Sequence, residues 1–304
     1  MKSVFIVILD YNSHDQTHDL LKSLKNIDTK NLDTYMVIID NASEVPFVFS
    51  PKEISKNVHL LRNKKNLGFS GGNNIGIDYA LSHGADFVVL LNNDTLVDKN
   101  FLHILIERLE KNNEIGLVVP KIYFAKGYEY HKNRYKKGDL GKVLWYAGGS
   151  IDWNNMIISH EGLDDIDTGA YDKEKEVDFA TGCCMAIKRE VLERVHGFDS
   201  RYFLYLEDAD LTERIKKAGY GVKYIPSAVI WHKNAASSGG AGSALHDYYL
   251  TRNRLLFGFT YAPLRTKLAL IRESVKLLKK GSKWQKIAVR DFYMRKFGKG
   301  SFAL

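Results

Sequence analysis

The sequence has little cysteine and no long apolar run. Among its 304 residues, the two cysteines, Cys183 and Cys184, are neighbours in the chain. Adjacent cysteines do not readily form an unstrained disulfide, so the sequence excludes a disulfide framework or a zinc site and favours a reducing compartment. The apolar runs at residues 4–9 and 87–91 are far shorter than the roughly 20 residues that cross a bilayer. No basic region with a cleavage site precedes the first run, so we predict a cytoplasmic protein without a signal peptide.

The common phosphate-binding fingerprints are also missing. The glycines at 68, 71, 72 and 76 do not fit the G-x-G-x-x-G pattern after the first strand, and there is no Walker loop. A sugar nucleotidyltransferase would need a glycine-rich loop with Arg or Lys after the first strand, and residues 10–14 do not provide one. We predict that 66–76 is a loop whose small residues let the backbone approach a ligand. A flexible connection to the next helix is the alternative.

The positive charge is concentrated at the C-terminus. Hydrophobic residues make up 45% and charged residues 26%, which is ordinary for a folded protein of one large or two moderate domains. The net charge is +8, but residues 265–304 hold twelve Lys or Arg against Glu273 and Asp291, a net charge of +10. The rest of the chain is therefore slightly acidic, at −2.

The first third of the chain alternates strand-like and helix-like segments. Apolar runs at 3–9, 35–39, 58–61 and 87–91 predict buried strands, and apolar spacing at 14–25 and up to residue 81 predicts helices. This rhythm predicts an α/β fold with a mostly parallel sheet and crossover helices.

The remainder of the chain is less regular. Residues 112–180 hold a strand at 116–120, a polar loop at 125–142 and strands around a turn at 145–153. Later segments predict helices at 189–195 and 208–219, strands at 221–226 and 228–231, and a mobile loop at 235–242.

Polar side chains follow three of the predicted strands. Asp10-Tyr11-Asn12 follows the first, Asp40 the second and Asn92-Asn93-Asp94 the strand at 87–91. Parallel sheets bind ligands at the carboxyl ends of their strands, and Asp94 is a hard oxygen ligand suited to Mg²⁺ or Mn²⁺. The alternative is an Asx turn that caps a helix starting near Lys99.

A second polar cluster opens the predicted helix at 208–219. Glu207, Asp208 and Asp210 crowd its first turn, where the helix dipole stabilises acids but their mutual repulsion opposes it. A nearby cation or a proton-accepting role would account for them better. His232 ends a buried strand. A lone histidine is more often an ordinary core or surface residue than a metal ligand.

The order of these motifs resembles the inverting glycosyltransferases of family 2, especially their rhamnosyltransferase-like branch. The matching pieces are ILDYN, IIDNAS, NLGFSGGNN, LLNNDT, FATGCCMAIKREVLERVHGFD, FLYLEDADLTERIKKAGY, IPSAVIWH and YYLTRN, which together cover most of residues 3–257. The resemblance implies a glycosyltransferase A-type fold that binds a nucleoside-diphospho-sugar and one divalent metal ion, Mg²⁺ or Mn²⁺. By position it implies a catalytic domain at 1–260, with a nucleotide-binding half at 1–111 and an acceptor half at 112–260, followed by a basic helical tail at 261–304.

The resemblance also implies roles for individual residues. Asp208 matches the general base, and Asp94, His232 and Asn92 match the metal position, where Asn92-Asn93-Asp94 replaces the usual Asp-x-Asp. The donor-binding residues implied are Tyr11, Asn12, Asp40, Asn66, Gly68, Asn74, Asn93 and Arg252, with Arg252 at the diphosphate. The acceptor or sugar pocket would include Gly182, Glu207 and Trp231.

The predicted reaction moves a sugar, with inversion, from dTDP-rhamnose or a UDP-sugar to a hydroxyl of a glycan or lipid-linked acceptor in cell-surface polysaccharide biosynthesis. The processive Gln-x-x-Arg-Trp signature is missing, which favours addition of one or a few sugars. A catalytically weak sugar-nucleotide-binding subunit and a basic nucleic-acid-binding protein are the alternatives. The slightly acidic body disfavours nucleic acid as a partner.

The basic tail suggests a further partner. Apolar residues are interspersed with cations along 265–304, a composition typical of helices that lie on anionic membranes. We therefore predict peripheral attachment to the inner face of the cell membrane. Packing on the catalytic body and a homodimer contact are the alternatives.

Overall fold

The computed structural model describes residues 1–131, 133–234 and 242–302, so most of the predicted loop at 235–242 lies outside the described residues. The strands of the described residues are β1 Lys2–Asp10, β2 Leu32–Asp40, β3 Val58–Arg62, β4 Phe87–Leu91, β5 Thr95–Val97, β6 Ile115–Phe124, β7 Leu144–Tyr146, β8 Gly149–Asp152, β9 Ile157–His160, β10 Lys175–Glu176, β11 Cys184–Lys188 and β12 Gly221–His232. The helices are α1 His14–Leu24, α2 Gly68–Ser82, α3 Phe101–Lys111, α4 Arg189–Val195, α5 Glu207–Lys217, α6 Ala244–Tyr261, α7 Leu264–Lys280 and α8 Lys283–Tyr293.

One mixed sheet organises the chain. Its strand order is β10-β12-β6-β11-β4-β1-β2-β3, with β5 added to β12 and β7 added to β6. The pairs β4–β1, β1–β2, β2–β3 and β6–β12 are parallel, whereas β11 runs antiparallel between β4 and β6. The predicted α/β fold with a mostly parallel central sheet is therefore confirmed.

The centre of the sheet is buried on both faces. Every residue of β4 is buried, as is the apolar centre of β1, because helices cover both sides of a parallel sheet. Helix α1 directs Leu20, Leu21 and Leu24 into this core. Strands β1 and β2 end in Asp10 and Asp40 at the carboxyl edge of the sheet, where β4 leads into Asn92.

The glycine-rich stretch is a helix for most of its length, and the prediction of a loop at 66–76 is wrong there. Helix α2 begins at Gly68, and its Gly72 and Gly76 face Leu9 and Val7 of β1. A Cβ on Gly76 would lie 2.2 Å from a Val7 methyl carbon, so the missing side chain lets the helix pack closely on β1.

The second half of the chain differs from the prediction in two elements. The strands expected at 221–226 and 228–231 form one strand, β12, with an irregularity between Ile225 and Val229 in its pairing with β6. Helix α6 was not predicted, because its apolar and aromatic residues are spread around the helix rather than gathered in one stripe.

The C-terminal tail is helical, as predicted, and packs on the rest of the protein. Leu270 of α7 and Val289 of α8 belong to the main hydrophobic core. The tail also closes over α6, where Tyr248 and Asp291 are hydrogen-bonded. The division at 260/261 remains a prediction. None of the helices among the described residues combines the length and apolar character needed to cross a bilayer.

Candidate active site

The polar ends of β1, β2 and β4 meet at one edge of the sheet. Asp10 pairs in register with Asp40, and the buried Asp10 carboxylate accepts hydrogen bonds from Thr17 (2.6 Å) and from the Asn93 side chain (3.2 Å). His14 Nδ1 lies 2.6 Å from the same carboxylate. Although burial alone would lower it, the hydrogen bond to Val45 and the charge of Asp10 raise the pKa of His14.

Asp94 and His232 are in contact, although they are far apart in sequence. His232 ends β12, which pairs with β5 directly after Asp94, and this pairing sets His232 opposite Thr95. His232 Nε2 lies 3.1 Å from Asp94 Oδ1, and both side chains are largely buried. The Lys233 N–H also donates to the Asp94 carbonyl, which fixes the two segments together.

The chemistry of this pair fits a divalent cation. The pair brings a carboxylate oxygen and an imidazole nitrogen together, a donor set that suits Mn²⁺ better than Mg²⁺, since Mg²⁺ prefers oxygen ligands throughout. The second ring nitrogen, His232 Nδ1, is buried without a hydrogen-bond partner among the described residues. No cluster of three or more His, Cys, Asp or Glu suited to a metal occurs in the described ranges. A cation here would therefore depend on the donor for further ligands.

Asn92 lies at the same strand end, but its described contacts are made by the main chain. Its N–H donates to the Cys183 carbonyl at 2.9 Å, and its carbonyl accepts from the Thr95 hydroxyl at 2.7 Å. The alternative to a ligand site, an Asx turn at 92–94 that caps a helix near Lys99, does not form, because β5 follows directly and α3 begins only at Phe101.

A short segment links Asp208 to this strand end. The Gly182 N–H donates to Asp208 Oδ2 at 3.0 Å, and the next residue, Cys183, accepts the hydrogen bond from Asn92. Asp208 is in the first turn of α5, where the Ala209 N–H also donates to its carboxylate. Asp208 is therefore linked through Gly182 and Cys183 to the strand end that precedes Asp94.

The two adjacent acids of α5 lie in different surroundings. Desolvation raises the pKa of Asp208 to about 6, although hydrogen bonds from Gly182 and Ala209 oppose the shift. Glu207 is almost fully buried, and its Oε2 has no hydrogen-bond partner among the described residues. Burial and the neighbouring Asp208 raise the pKa of Glu207 well above its usual range. Burial and the adjacent Asp208 thus both favour the neutral form of Glu207.

The loop that leads into α5 has an unusual backbone. Phe203, Tyr205 and Leu206 have φ of 64°, 70° and 68°, in the left-handed region that costs non-glycine residues of order 1–3 kcal/mol each. The Asn253 side chain holds the loop by donating to the carbonyls of Tyr202, Leu204 and Tyr205 at 2.7–2.8 Å. These contacts fix the position at which Asp208 is presented.

Arg252 is part of the same support, and the prediction that it meets the diphosphate is not what the structure shows. Its fully buried guanidinium donates to the carbonyls of Arg201, Tyr202 and Gly298 at 2.7–3.1 Å. The guanidinium carbon, Cζ, also lies over the rings of Tyr248 and Tyr249. Binding a phosphate would require these bonds to break.

Replacing Arg252 with lysine is expected to destabilise the protein. Lysine keeps the charge but lacks the planar fork that reaches several carbonyls, so we expect the free energy of unfolding to fall by about 3 kcal/mol. The turnover number should also fall while the donor KM changes little, as measured by thermal unfolding and steady-state kinetics. If the variant instead had a raised donor KM and unchanged stability, the result would support the prediction that Arg252 contacts the diphosphate.

Three predicted donor residues contact the protein itself. Asn74 forms two hydrogen bonds of 2.8 Å with the backbone of Phe198. Gly68 has a φ of 74°, and a Cβ there would lie 2.4 Å from the Phe203 carbonyl oxygen. Asn93 donates to Asp10, Ser13 and Thr17. Their placement explains how α1, α2 and the loop before α5 are held around the site.

The other predicted donor residues lie near the exposed edge. Tyr11 is 45% exposed, and Asn12 is exposed beside it. Asn66 accepts from Asn41 and from the Gly68 N–H. Asp40 is buried against Arg62 at 3.0 Å; hydrogen bonds from Ser43 and Phe47 lower its pKa, although burial opposes this. A contact of Asp40 with a ribose would need the segment after β2 to move.

Trp231 belongs to a different pocket, so its assignment beside Glu207 and Gly182 is wrong. Successive residues of a strand face opposite sides of the sheet, which places Trp231 opposite to His232. Its indole N–H donates to the Gly141 carbonyl, and its ring borders a pocket of about 720 Å³ together with Tyr123 and Lys121.

Two aromatic residues near His232 were missed in the sequence. The Trp145 ring contacts the rings of His232 and His160, each at a centroid distance of 4.4 Å. Burial lowers the pKa of His160 to about 4, so this histidine is neutral near pH 7. The segment 145–160 has no motif that distinguishes these side chains, which are brought to the site by the β7 pairing with β6 and the β8–β9 hairpin.

Relatives of this chain were found by sequence. The mycobacterial N-acetylglucosaminyl-diphospho-decaprenol L-rhamnosyltransferase of Mycobacterium tuberculosis is 29% identical over 195 residues, which cover 60% of this chain and 61% of that protein. The dTDP-rhamnosyl transferase RfbF of Shigella flexneri is 24% identical over 285 residues, covering 90% of this chain and 85% of the relative.

Solved structures share the fold. GalNAc-T7 with UDP, GalNAc and Mn²⁺ aligns with a TM-score of 0.58 at 14% identity, over 97% of this chain and 57% of that one. The mannosyltransferase PcManGT from Pyrobaculum calidifontis, in complex with GDP-Man and Mn²⁺, aligns with a TM-score of 0.51 at 16% identity, over 99% of this chain and 76% of that one. These alignments confirm the predicted glycosyltransferase A-type fold.

The sequence also matches a family model. The model described as "Glycosyltransferase like family 2" matches residues 2–246, which is most of the chain and includes the ends of β1, β2 and β4, the start of α5 and His232. The chain therefore belongs to glycosyltransferase-like family 2.

Proposed function

We propose that this protein is an inverting, metal-dependent glycosyltransferase that uses a nucleoside-diphosphate sugar. Two observations support the proposal: the contact of Asp94 with His232, and the link through Gly182 and Cys183 from Asp208, whose pKa is raised to about 6, to the strand end that precedes Asp94. A pair able to hold a cation beside a carboxylate tuned toward neutral pH has the parts that inverting sugar transfer needs.

The proposed chemistry assigns one role to each part. Asp94 and His232 would hold the divalent cation, which supplies charge neutralisation for the departing nucleoside diphosphate. Asp208 would accept the proton of the acceptor hydroxyl. The oxygen of that hydroxyl attacks the anomeric carbon on the side opposite the leaving group. The bond from that carbon to the diphosphate oxygen breaks, and the configuration inverts. The neutral form of Glu207, which its burial favours, would avoid a second negative charge next to Asp208.

The choice of substrates follows the relatives. Two relatives carry rhamnosyltransferase names, one of which names a decaprenol-linked acceptor. We therefore propose dTDP-rhamnose, or failing that a UDP-sugar, as donor and a glycan or lipid-linked acceptor of cell-surface polysaccharide synthesis. The two solved neighbours were obtained with Mn²⁺ and nucleotides, which supports Mn²⁺ or Mg²⁺ as the cation.

A screen of nucleotide sugars for metal-dependent hydrolysis tests this function. The protein is incubated with dTDP-, UDP- and GDP-sugars with Mn²⁺, with Mg²⁺ or with EDTA, and release of the nucleoside diphosphate is measured. We expect release from one donor class that EDTA abolishes, together with thermal stabilisation by that nucleotide and the metal. Stabilisation without turnover would favour a silent sugar-nucleotide-binding subunit. Stabilisation only by oligonucleotides would overturn the proposal.

The rate of transfer should depend on pH through Asp208. A general base works when it is deprotonated, and its raised pKa of about 6 keeps it protonated to a higher pH than an ordinary aspartate. We expect kcat/KM to be level above that value and to fall about tenfold per pH unit below it. A profile that stays level down to pH values near the ordinary aspartate pKa would show that Asp208 is not the base.

A further inference from the structure

Helix α7 presents an apolar stripe to solvent. Five large apolar side chains lie along it at spacings of four and three residues, which places them on one face of a helix. They are Leu264, Leu268, Ile271, Val275 and Leu278, with exposures of 73%, 49%, 41%, 47% and 38%. The stripe is about 21 Å long at 1.5 Å per residue. This is a continuous surface rather than scattered apolar residues.

The stripe is separate from the face by which α7 packs on the protein. Thr266, Leu270 and Ser274 form the buried face and are 1–3% exposed. The Thr266 hydroxyl donates to the Trp153 carbonyl at 2.9 Å, and Glu273 pairs with Arg254 at 2.6 Å. The helix is therefore held by one face while another face is left without a partner among the described residues.

Cations border the exposed stripe. At 100° per residue, Arg265, Arg272 and Lys279 lie along one side of it and Lys267 along the other. Glu273 is the acidic residue of α7, and Arg254 already neutralises it. None of the four cations forms an ion pair within the described parts of the chain. The apolar stripe is therefore flanked by cations on both sides.

From this arrangement we propose that the exposed face of α7 docks on an anionic lipid bilayer. Apolar side chains flanked by Lys and Arg suit the boundary between acyl chains and acidic headgroups. A second copy of this chain fits less well, because both tails carry a net charge of +10 and the stripe lacks the acidic flanks that pair helices in a seam. The inference adds a partner to the proposed function, but binding is measured without catalysis.

Vesicle flotation with matched variants tests the proposal. The intact protein is mixed with vesicles of phosphatidylcholine, or of phosphatidylcholine with phosphatidylglycerol. We expect binding to the anionic vesicles and at least about tenfold weaker binding to the neutral ones. Leu268→Gln combined with Val275→Gln should weaken anionic-vesicle binding by about tenfold or more, because it removes two apolar anchors.

The control removes two apolar side chains elsewhere that are more exposed than Leu268 and Val275. Val48 and Ile54 are 71% and 68% exposed on the body, so Val48→Gln combined with Ile54→Gln should leave vesicle binding unchanged. Sedimentation without lipid completes the test. The proposal would be overturned if the intact protein did not bind anionic vesicles, or if both double variants lost binding equally. It would also be overturned if the intact protein were a dimer and the α7 substitutions made it a monomer. Sugar transfer to a soluble acceptor is measured in parallel for the intact protein and the α7 variant. If transfer is retained while vesicle binding fails, the membrane proposal is wrong but the proposed function stands.

Discussion

Replacing Asp208 with asparagine is expected to lower kcat by about 10²–10⁴-fold, the usual contribution of a general base. Asparagine preserves the size of the side chain and can still accept the Gly182 N–H, but it cannot take the acceptor proton. Affinity for the donor nucleotide and metal should change little, because neither depends on this carboxylate. Rapid-quench transfer assays and nucleotide titrations measure the two quantities separately.

The matched control for Asp208 is on the same helix. Glu213→Gln removes an acid five residues further along α5, and it should leave kcat unchanged. Equal losses in Asp208→Asn and Glu213→Gln would indicate damage to the helix. An unchanged kcat in Asp208→Asn would remove this residue from the mechanism.

Replacing Asp94 with asparagine is expected to lower kcat by about 10²–10³-fold, comparable with loss of one charge-stabilising group at a reacting centre. The variant keeps a similar shape beside His232 but loses the negative charge that attracts a divalent cation. The concentration of Mn²⁺ required for half-maximal activity should rise. Titration with Mn²⁺ in the presence of nucleoside diphosphate, followed by calorimetry, measures this shift.

Asp86→Asn is the control for Asp94. Asp86 is at the other end of β4, where it accepts a hydrogen bond from the Ser3 N–H, so its loss should not change the metal requirement. If Asp94→Asn and the unaltered protein have the same Mn²⁺ dependence, then the cation is held elsewhere.

The polar strand ends were predictable because the sheet is parallel. Once β1, β2 and β4 were recognised as neighbouring crossover strands, Asp10, Asp40 and Asp94 had to emerge at one edge. The approach of His232 to Asp94 depends on β12 pairing with β5, a contact between distant segments that local patterns do not encode. The family resemblance, rather than periodicity, indicated that pair.

Some errors had a signal in the sequence and others did not. Trp231 and His232 are adjacent in a strand, and side-chain alternation alone places them on opposite faces. Likewise, Gly72 and Gly76 are four residues apart, the spacing of one helix face. The burial of Arg252 has no comparable local sign, since it follows from the docking of the loop 201–206 and the chain end against α6.

The anomalous scattering of Mn²⁺ in crystals grown with a nucleoside diphosphate tests the central claim most directly. The account predicts one strong peak coordinated by Asp94 and His232, with the diphosphate on the same ion and the Asp208 carboxylate facing the sugar side of that cleft. A peak bound by other side chains, or an ion at Asp94 with Asp208 directed away from it, would contradict the account.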